Sequence, residues 1–176
     1  MTTPHTVSAR LIACPYTHPH ARMLLNRLHK EQHELYGFAD DPDDTPASDY
    51  APPNGLFIVA TLDTTPVACG GWRRRGAITA EIKRMYTLPD LRGHGLGLQV
   101  LRRLEDDARR AGIQHMLLET GRDNYQALRL YSTSGYTPTS PYVTGRNPVI
   151  NRALRKSLIH GGEEASLQHD PRLWTS

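Results

Sequence analysis

The feature that most restricts this chain's fold is a β-like run that passes through glycines into a helix-like run. Residues Ile78 to Leu88, "ITAEIKRMYTL", alternate, with Ile78, Ala80, Ile82, Arg84 and Tyr86 expected on one face and Thr79, Glu81, Lys83, Met85 and Thr87 on the other. The next stretch, "LPDLRGHGLGLQVL", carries Gly93, Gly95 and Gly97. Beyond it Val100, Leu101, Leu104, Ala108 and Ala111 recur as one helical stripe that stops at Gly112. A strand that turns through glycines into a helix leaves several N–H groups pointing outward at the positive end of the helix dipole, and glycines let a phosphate reach that main chain. A tight strand-to-helix turn would by itself use the same glycines.

The surrounding pattern places this passage in the middle of one sheet. Val7 to Ala13 is β-leaning, Pro15 to Pro19 break the chain, and His20 to Tyr36 carries Met23, Leu24, Leu28 and Leu35 at helical spacing before Gly37. "FADDPDDTPASDYAPPN", with five aspartates and four prolines, reads as a long loop. Leu56 to Leu62 and "PVACGGW" read as an antiparallel hairpin around Asp63-Thr64-Thr65. After the glycine stretch and its helix come a strand, "HMLLET", a helix from about Asn124 to Ser134, and a strand from about Val149 to Leu158. This order predicts a mixed α/β fold around a mostly antiparallel sheet. The expected domain spans residues 1–159, with a polar, frayed tail over 160–176.

The 176 residues suffice for one core-forming domain, and 38% hydrophobic with 22% charged residues describes a soluble chain without a membrane-length apolar run. "MTTPHTVSAR" has no basic segment followed by an apolar one, so no signal peptide and a cytoplasmic setting are expected. Cys14 and Cys69 lack a CxxC partner and read as buried free thiols. The net charge of +3 is scattered, and Arg73-Arg74-Arg75 and Arg109-Arg110 are not interleaved with aromatics, so no nucleic-acid partner is expected. His29 and His33 lie four apart on a helix without a third ligand at suitable spacing, so no metal is expected.

Three ligand classes compete for the glycine loop. A Walker loop needs Gly-Lys-Ser/Thr, and Leu98 and Gln99 follow Gly97, which excludes it. A dinucleotide fingerprint has an acid about twenty residues on, as Glu119 is, but needs GxGxxG within parallel βαβ units, and the spacing here is Gly93-x-Gly95-x-Gly97 after antiparallel strands. The third is the pyrophosphate of coenzyme A. Arg92-Gly93-His94-Gly95-Leu96-Gly97 resembles the R/Q-x-x-G-x-G/A motif of the GNAT acetyltransferase superfamily. "LLETGRDNYQALRLYSTSGY" resembles that family's following strand and helix, including N-x-x-A-x-x-L-Y-x-x-x-G-Y.

The resemblance implies an acyl-CoA cleft where two central strands, ending at Thr87 and Thr120, splay apart. It implies that pantetheine pairs with main-chain groups of Met85, Tyr86 and Thr87, that Arg92 to Gly97 take the pyrophosphate, and that Asn124 bonds the cofactor arm. The expected cosubstrate is acetyl-CoA and the expected acceptor a primary amine of a small molecule or protein. The amine must lose a proton to a base or a water chain, with Glu81 the first candidate, acting directly or through water, and Glu119 the reserve; an ion pair of Glu81 with Lys83 or a neighbouring Arg is the competing explanation. Tyr131 stands where the family carries a tyrosine beside the sulfur and is the expected proton donor to the thiolate, with core packing as the alternative. The loop aspartates Asp40, Asp41, Asp43, Asp44 and Asp49 are expected to steer a cationic acceptor, or else to be merely solvated. A non-catalytic acyl-CoA-binding module is the rival function, and homodimerisation stays open.

Overall fold

The computed structural model describes residues 6–159. The expected tail over 160–176 lies outside the described residues. Seven strands form one sheet in the order β1-β2-β3-β4-β5-β7-β6. They are β1 (Arg10–Ala13), β2 (Gly55–Leu62), β3 (Thr65–Arg74), β4 (Thr79–Thr87), β5 (His115–Gly121), β6 (Thr137–Pro138) and β7 (Asn151–Ser157). Only the β4–β5 pairing is parallel. The helices are α1 (Pro19–Tyr36), α2 (Leu96–Arg110) and α3 (Tyr125–Thr133). Among the described residues no helix is long and apolar enough to cross a membrane.

Strands β2 and β3 are buried on both faces, which is why they read as near-continuous apolar runs. One face packs against α2: Ile58, Trp72 and Ile82 meet Val100, Leu101 and Leu104. The other packs against α1, where Leu24, Leu25 and Leu28 meet Phe57, Val59 and Tyr86. Helix α1 begins with His18 as its N-cap, whose Nδ1 accepts from the His20 N–H, and Pro19 at N1. It ends at Gly37 with φ 77°, a left-handed cap that glycine adopts without penalty.

Two expectations are corrected. The alternation along β4 is not continuous: Cys69 pairs with Tyr86 and Gly71 with Lys83, so two residues of β4, Arg84 and Met85, face one of β3, Gly70, and Arg84 takes φ 62°. This bulge shifts the pattern by one residue. Met85 therefore joins Ile82 on the α2 side, while Arg84 reaches the loop after α1 by donating to the carbonyls of Asp40 (3.1 Å) and Asp41 (3.2 Å). The loop itself is ordered. It forms 3₁₀ turns at Pro42–Asp44 and Ala47–Tyr50, and Tyr50 is buried against Tyr16 and Phe57 with ring centroids at 4.6 and 5.7 Å. Of the two thiols, Cys69 is buried as expected and Cys14 only half-buried; both are free.

Candidate active site

Strands β4 and β5 pair from Thr79/His115 to Ile82/Leu118 and then part. Beyond that point β5 stays paired to β7 as far as Gly121, and β4 stays paired to β3 as far as Thr87. Among the described residues, the edge of Lys83–Thr87 that faces β5 is thus left without a neighbouring strand. A cleft of about 1110 Å³ opens there. Its walls include Met85, Tyr86 and Thr87, the loop residues Arg92, Gly93, Gly95, Leu96 and Gly97, Asn124 at the head of α3, and Glu81, Glu119 and Tyr131. The structure brings these sequence-derived residues to one cavity. His94 belongs to the same loop but turns its ring inward, with Nδ1 3.0 Å from the Arg92 carbonyl, while its own carbonyl accepts from the Val7 N–H at 3.2 Å.

The glycine loop differs from residue to residue in what it demands. Gly93 and Gly95 sit at φ 81° and 82°, where a side chain strains the backbone, and a Cβ on Gly95 would meet Thr6 rather than the cleft. Gly97 is helical, and a Cβ there would point to Leu130 (3.3 Å) and Thr87 (3.8 Å), both of which line the cleft. Close packing against Leu130 at the cleft wall therefore restricts Gly97, and backbone geometry explains the other two. The N–H groups of Gly93 through Leu98 donate to no described group; the first intrahelical bond runs from Gln99 N–H to the Gly95 carbonyl. Asn124 caps α3 by accepting from Ala127 N–H at 3.2 Å through Oδ1, which leaves its amide NH₂ for another partner.

Arg92 is held in place. Its Nη2 donates to both oxygens of Glu31 on α1 at 2.8 and 2.7 Å, its Nε donates to the Thr87 carbonyl at 3.0 Å, and its guanidinium lies 5.5 Å from the Tyr86 ring centroid.

The two acids differ in what they have left to give. Glu81 is 1% exposed; Oε2 accepts from Arg73 Nε at 3.0 Å and Oε1 from the Tyr142 hydroxyl at 2.9 Å. Glu119, with its side chain 11% exposed, has Oε2 3.3 Å from Arg146 Nε without hydrogen-bond alignment, and Oε1 is buried with no partner among the described residues. Burial raises the Glu119 pKa above its ordinary 4.5, and the nearby Arg146 only partly offsets this. Tyr131 is buried, its ring packs edge-on against Tyr136 with centroids 5.6 Å apart, and burial alone raises its pKa.

Three of the five loop aspartates are engaged in ion pairs, whereas Asp41 and Asp44 are exposed and have no ion-pair partner among the described residues. Asp43 pairs with Arg22 (2.6 Å), Asp49 lies 3.4 Å from Arg73, and Asp40 is bound by Arg146 and Lys83. The expected Arg partner of Glu81 is Arg73, while Lys83, the other expected partner, pairs with Asp40; sequence reasoning missed Arg146 and Tyr142 as components of this region. Arg73 and Lys83 sit in strands that it recognised, next to Glu81 in register or sequence. Arg146 and Tyr142 lie in "TPTSPYVTGRNPV", where no period exists to read.

Comparison with known proteins agrees with this geometry. A family model described as the acetyltransferase (GNAT) family matches residues 22–136. An IAA acetyltransferase of Azospirillum brasilense is 41% identical over 52% of this chain, and the match spans 61% of that relative's length. An uncharacterized N-acetyltransferase of Schizosaccharomyces pombe is 28% identical over 86% of this chain and 94% of its own. Among solved structures, a GNAT-family acetyltransferase from Staphylococcus aureus Mu50 superposes with a TM-score of 0.71 at 18% identity, covering 86% of this chain and all of that one, which speaks for the fold. A family match over most of the described residues, on a sheet that splays between β4 and β5 above a glycine-opened helix, means that the chain belongs to the GNAT acetyltransferase family.

Proposed function

We propose that this chain transfers an acetyl group from acetyl-CoA directly to a primary amine, both held together in the cleft between β4 and β5. The observation that carries the reading is the continuity of two unsatisfied surfaces: the open edge of Lys83–Thr87 and the N–H groups of Gly93 through Leu98. Unpaired main-chain groups on a strand edge suit the amides of pantetheine, and a run of N–H groups at a helix start suits a pyrophosphate. Arg92 supplies a further positive charge once it leaves Glu31, and the Asn124 amide NH₂ bonds the cofactor arm. The expected setting is the cytoplasm.

The acceptor nitrogen attacks the thioester carbonyl carbon and forms the C–N bond. Its proton passes to Glu119, whose Oε1 has no partner among the described residues and whose pKa, raised by burial, suits it to accept one. Glu81, with both oxygens engaged, acts instead as a positioning residue for Arg73 and Tyr142. An N–H from Met85 to Thr87 takes the oxyanion, a fixed dipole that needs no reorganisation. The C–S bond then breaks and the thiolate receives a hydrogen bond and a proton from Tyr131, which recovers its own from solvent. With the Tyr131 pKa raised, that hand-over is uphill, so its contribution belongs at the low end of the general-acid range, about 10²-fold.

The test is to incubate the protein with acetyl-CoA and a panel of primary amines, following free thiol and N-acetylated product by mass spectrometry. Stoichiometric release of coenzyme A with an N-acetyl product is expected. Tight acetyl-CoA binding without transfer to any amine would instead identify a binding module.

A further inference from the structure

The acceptor end of the cleft carries a charge pattern that acetyl transfer alone does not require. Lys83, at the bulge of β4, and Arg146, between β6 and β7, converge on one carboxylate, that of Asp40 in the loop after α1. Arg146 Nη1 donates to Asp40 Oδ1 at 2.9 Å and Nη2 to Oδ2, while Lys83 Nζ lies 3.4 Å from Oδ2. Arg146 also stands beside Glu119, yet Arg146 Nε and Glu119 Oε1 are both buried and have no hydrogen-bond partner among the described residues. Buried polar atoms of native proteins are rarely left unpaired, and charged ones least of all. All four side chains line the cleft.

An anion with an unspent acceptor beside two cations, one with an unspent donor, is the complement of a zwitterion. Because Glu119 and Arg146 approach to 3.3 Å, the two poles that fill them must be close together, the spacing that a single carbon between ammonium and carboxylate provides. Asp40 marks the carboxylate's place. Its side chain is 37% exposed, while Arg84 holds its main-chain carbonyl at 3.1 Å. Beside these charges the cleft wall carries two exposed apolar side chains, Leu35 and Phe38, which suit a hydrocarbon substituent. We infer that the acceptor is a free α-amino acid with an apolar side chain, its ammonium group at Glu119 and its carboxylate taking Arg146 and Lys83 over from Asp40. This inference rests on the transferase reading above and names its substrate class.

The experiment compares leucine, leucinamide and isoamylamine as acceptors for the intact protein with acetyl-CoA, scored by kcat/KM for the N-acetyl product. The carboxylate's charge-assisted bonds predict a preference for leucine of at least about 10-fold over both analogues. Lys83→Met should move the leucine-to-leucinamide ratio toward one, and Asp40→Asn, which removes the internal competitor, should lower KM for leucine. Equal or better turnover of leucinamide or isoamylamine overturns the inference and leaves the transferase standing. Failure to acetylate any amine, with acetyl-CoA bound, overturns both. The wild-type comparison decides the matter even if a variant does not fold.

Discussion

Replacing the two cleft acids one at a time should separate a structural role from a chemical one. In Glu81→Gln one oxygen survives and the other becomes an amide nitrogen facing a donor. The site is 1% exposed, so the charge-assisted bond from Arg73 is lost without replacement by water. A hydrogen bond to a charged group contributes about 1.5–3 kcal/mol. Arg73 retains Asp49 at 3.4 Å and is itself 19% exposed, which discounts the loss to about 2 kcal/mol. For a chain of this length that corresponds to a fall in Tm of about 4–8 °C. Glu119→Gln behaves in the opposite way. Its folded-state pKa is raised, so at neutral pH the ionised carboxylate disfavours the folded state, and removing the charge should leave Tm unchanged or slightly higher. Turnover should instead fall by about 10²-fold or more through loss of the base. The wild-type rate should decline on acidification through a pKa above the ordinary 4.5, and that acid limb should vanish in Glu119→Gln. Calorimetric melting and a pH–rate profile on both variants provide the assay. A Glu81→Gln variant of native Tm with the larger turnover defect, and with the acid limb lost there rather than in Glu119→Gln, would refute the assignment.

Three further outcomes follow from the geometry. Tyr131→Phe keeps the ring against Tyr136 and removes the hydroxyl, so kcat should fall about 10²-fold while acetyl-CoA affinity by titration calorimetry and Tm stay close to wild type. Glu31→Gln breaks a half-exposed ion pair worth about 0.2–1 kcal/mol and frees Arg92, so acetyl-CoA should bind up to about 5-fold more tightly, most visibly at low salt. Gly97→Val should leave the fold nearly intact, because only Leu130 must give way, yet weaken acetyl-CoA binding at least about 10-fold, about 1.4 kcal/mol and within the range that overpacking costs.

Most of the scaffold was legible because it depends on local rules. The 3.6-residue stripe Val100–Leu104–Ala108 fixed α2, Gly37 and Gly112 stopped α1 and α2, and the apolar runs around Asp63 gave the β2–β3 hairpin. Motif spacing also singled out Arg92, Gly93, Gly95, Leu96, Gly97 and Tyr131, all of which line one cleft, along with His94, which does not. The remainder depends on contacts distant in sequence. The bulge at Arg84 is a mismatch between two strands, invisible in either one alone. The loop after α1 has no period, yet it is ordered by Tyr50 in the core and by Arg84 beneath it, residues that propensity does not link. The partners that engage Glu81 and border Glu119 come from β3 and from the stretch before β7, so which acid is free could not be read from the chain.

The central claim is that acetyl-CoA lies between the open edge of β4 and the N–H groups of Gly93 through Leu98. Those amides have no acceptor among the described residues and should exchange rapidly in the free protein. Hydrogen–deuterium exchange with and without acetyl-CoA tests this most directly. The account predicts new protection over Lys83–Thr87, Gly93–Leu98 and the first turn of α3. Binding that leaves the 93–98 amides in fast exchange, with protection confined elsewhere, would contradict it.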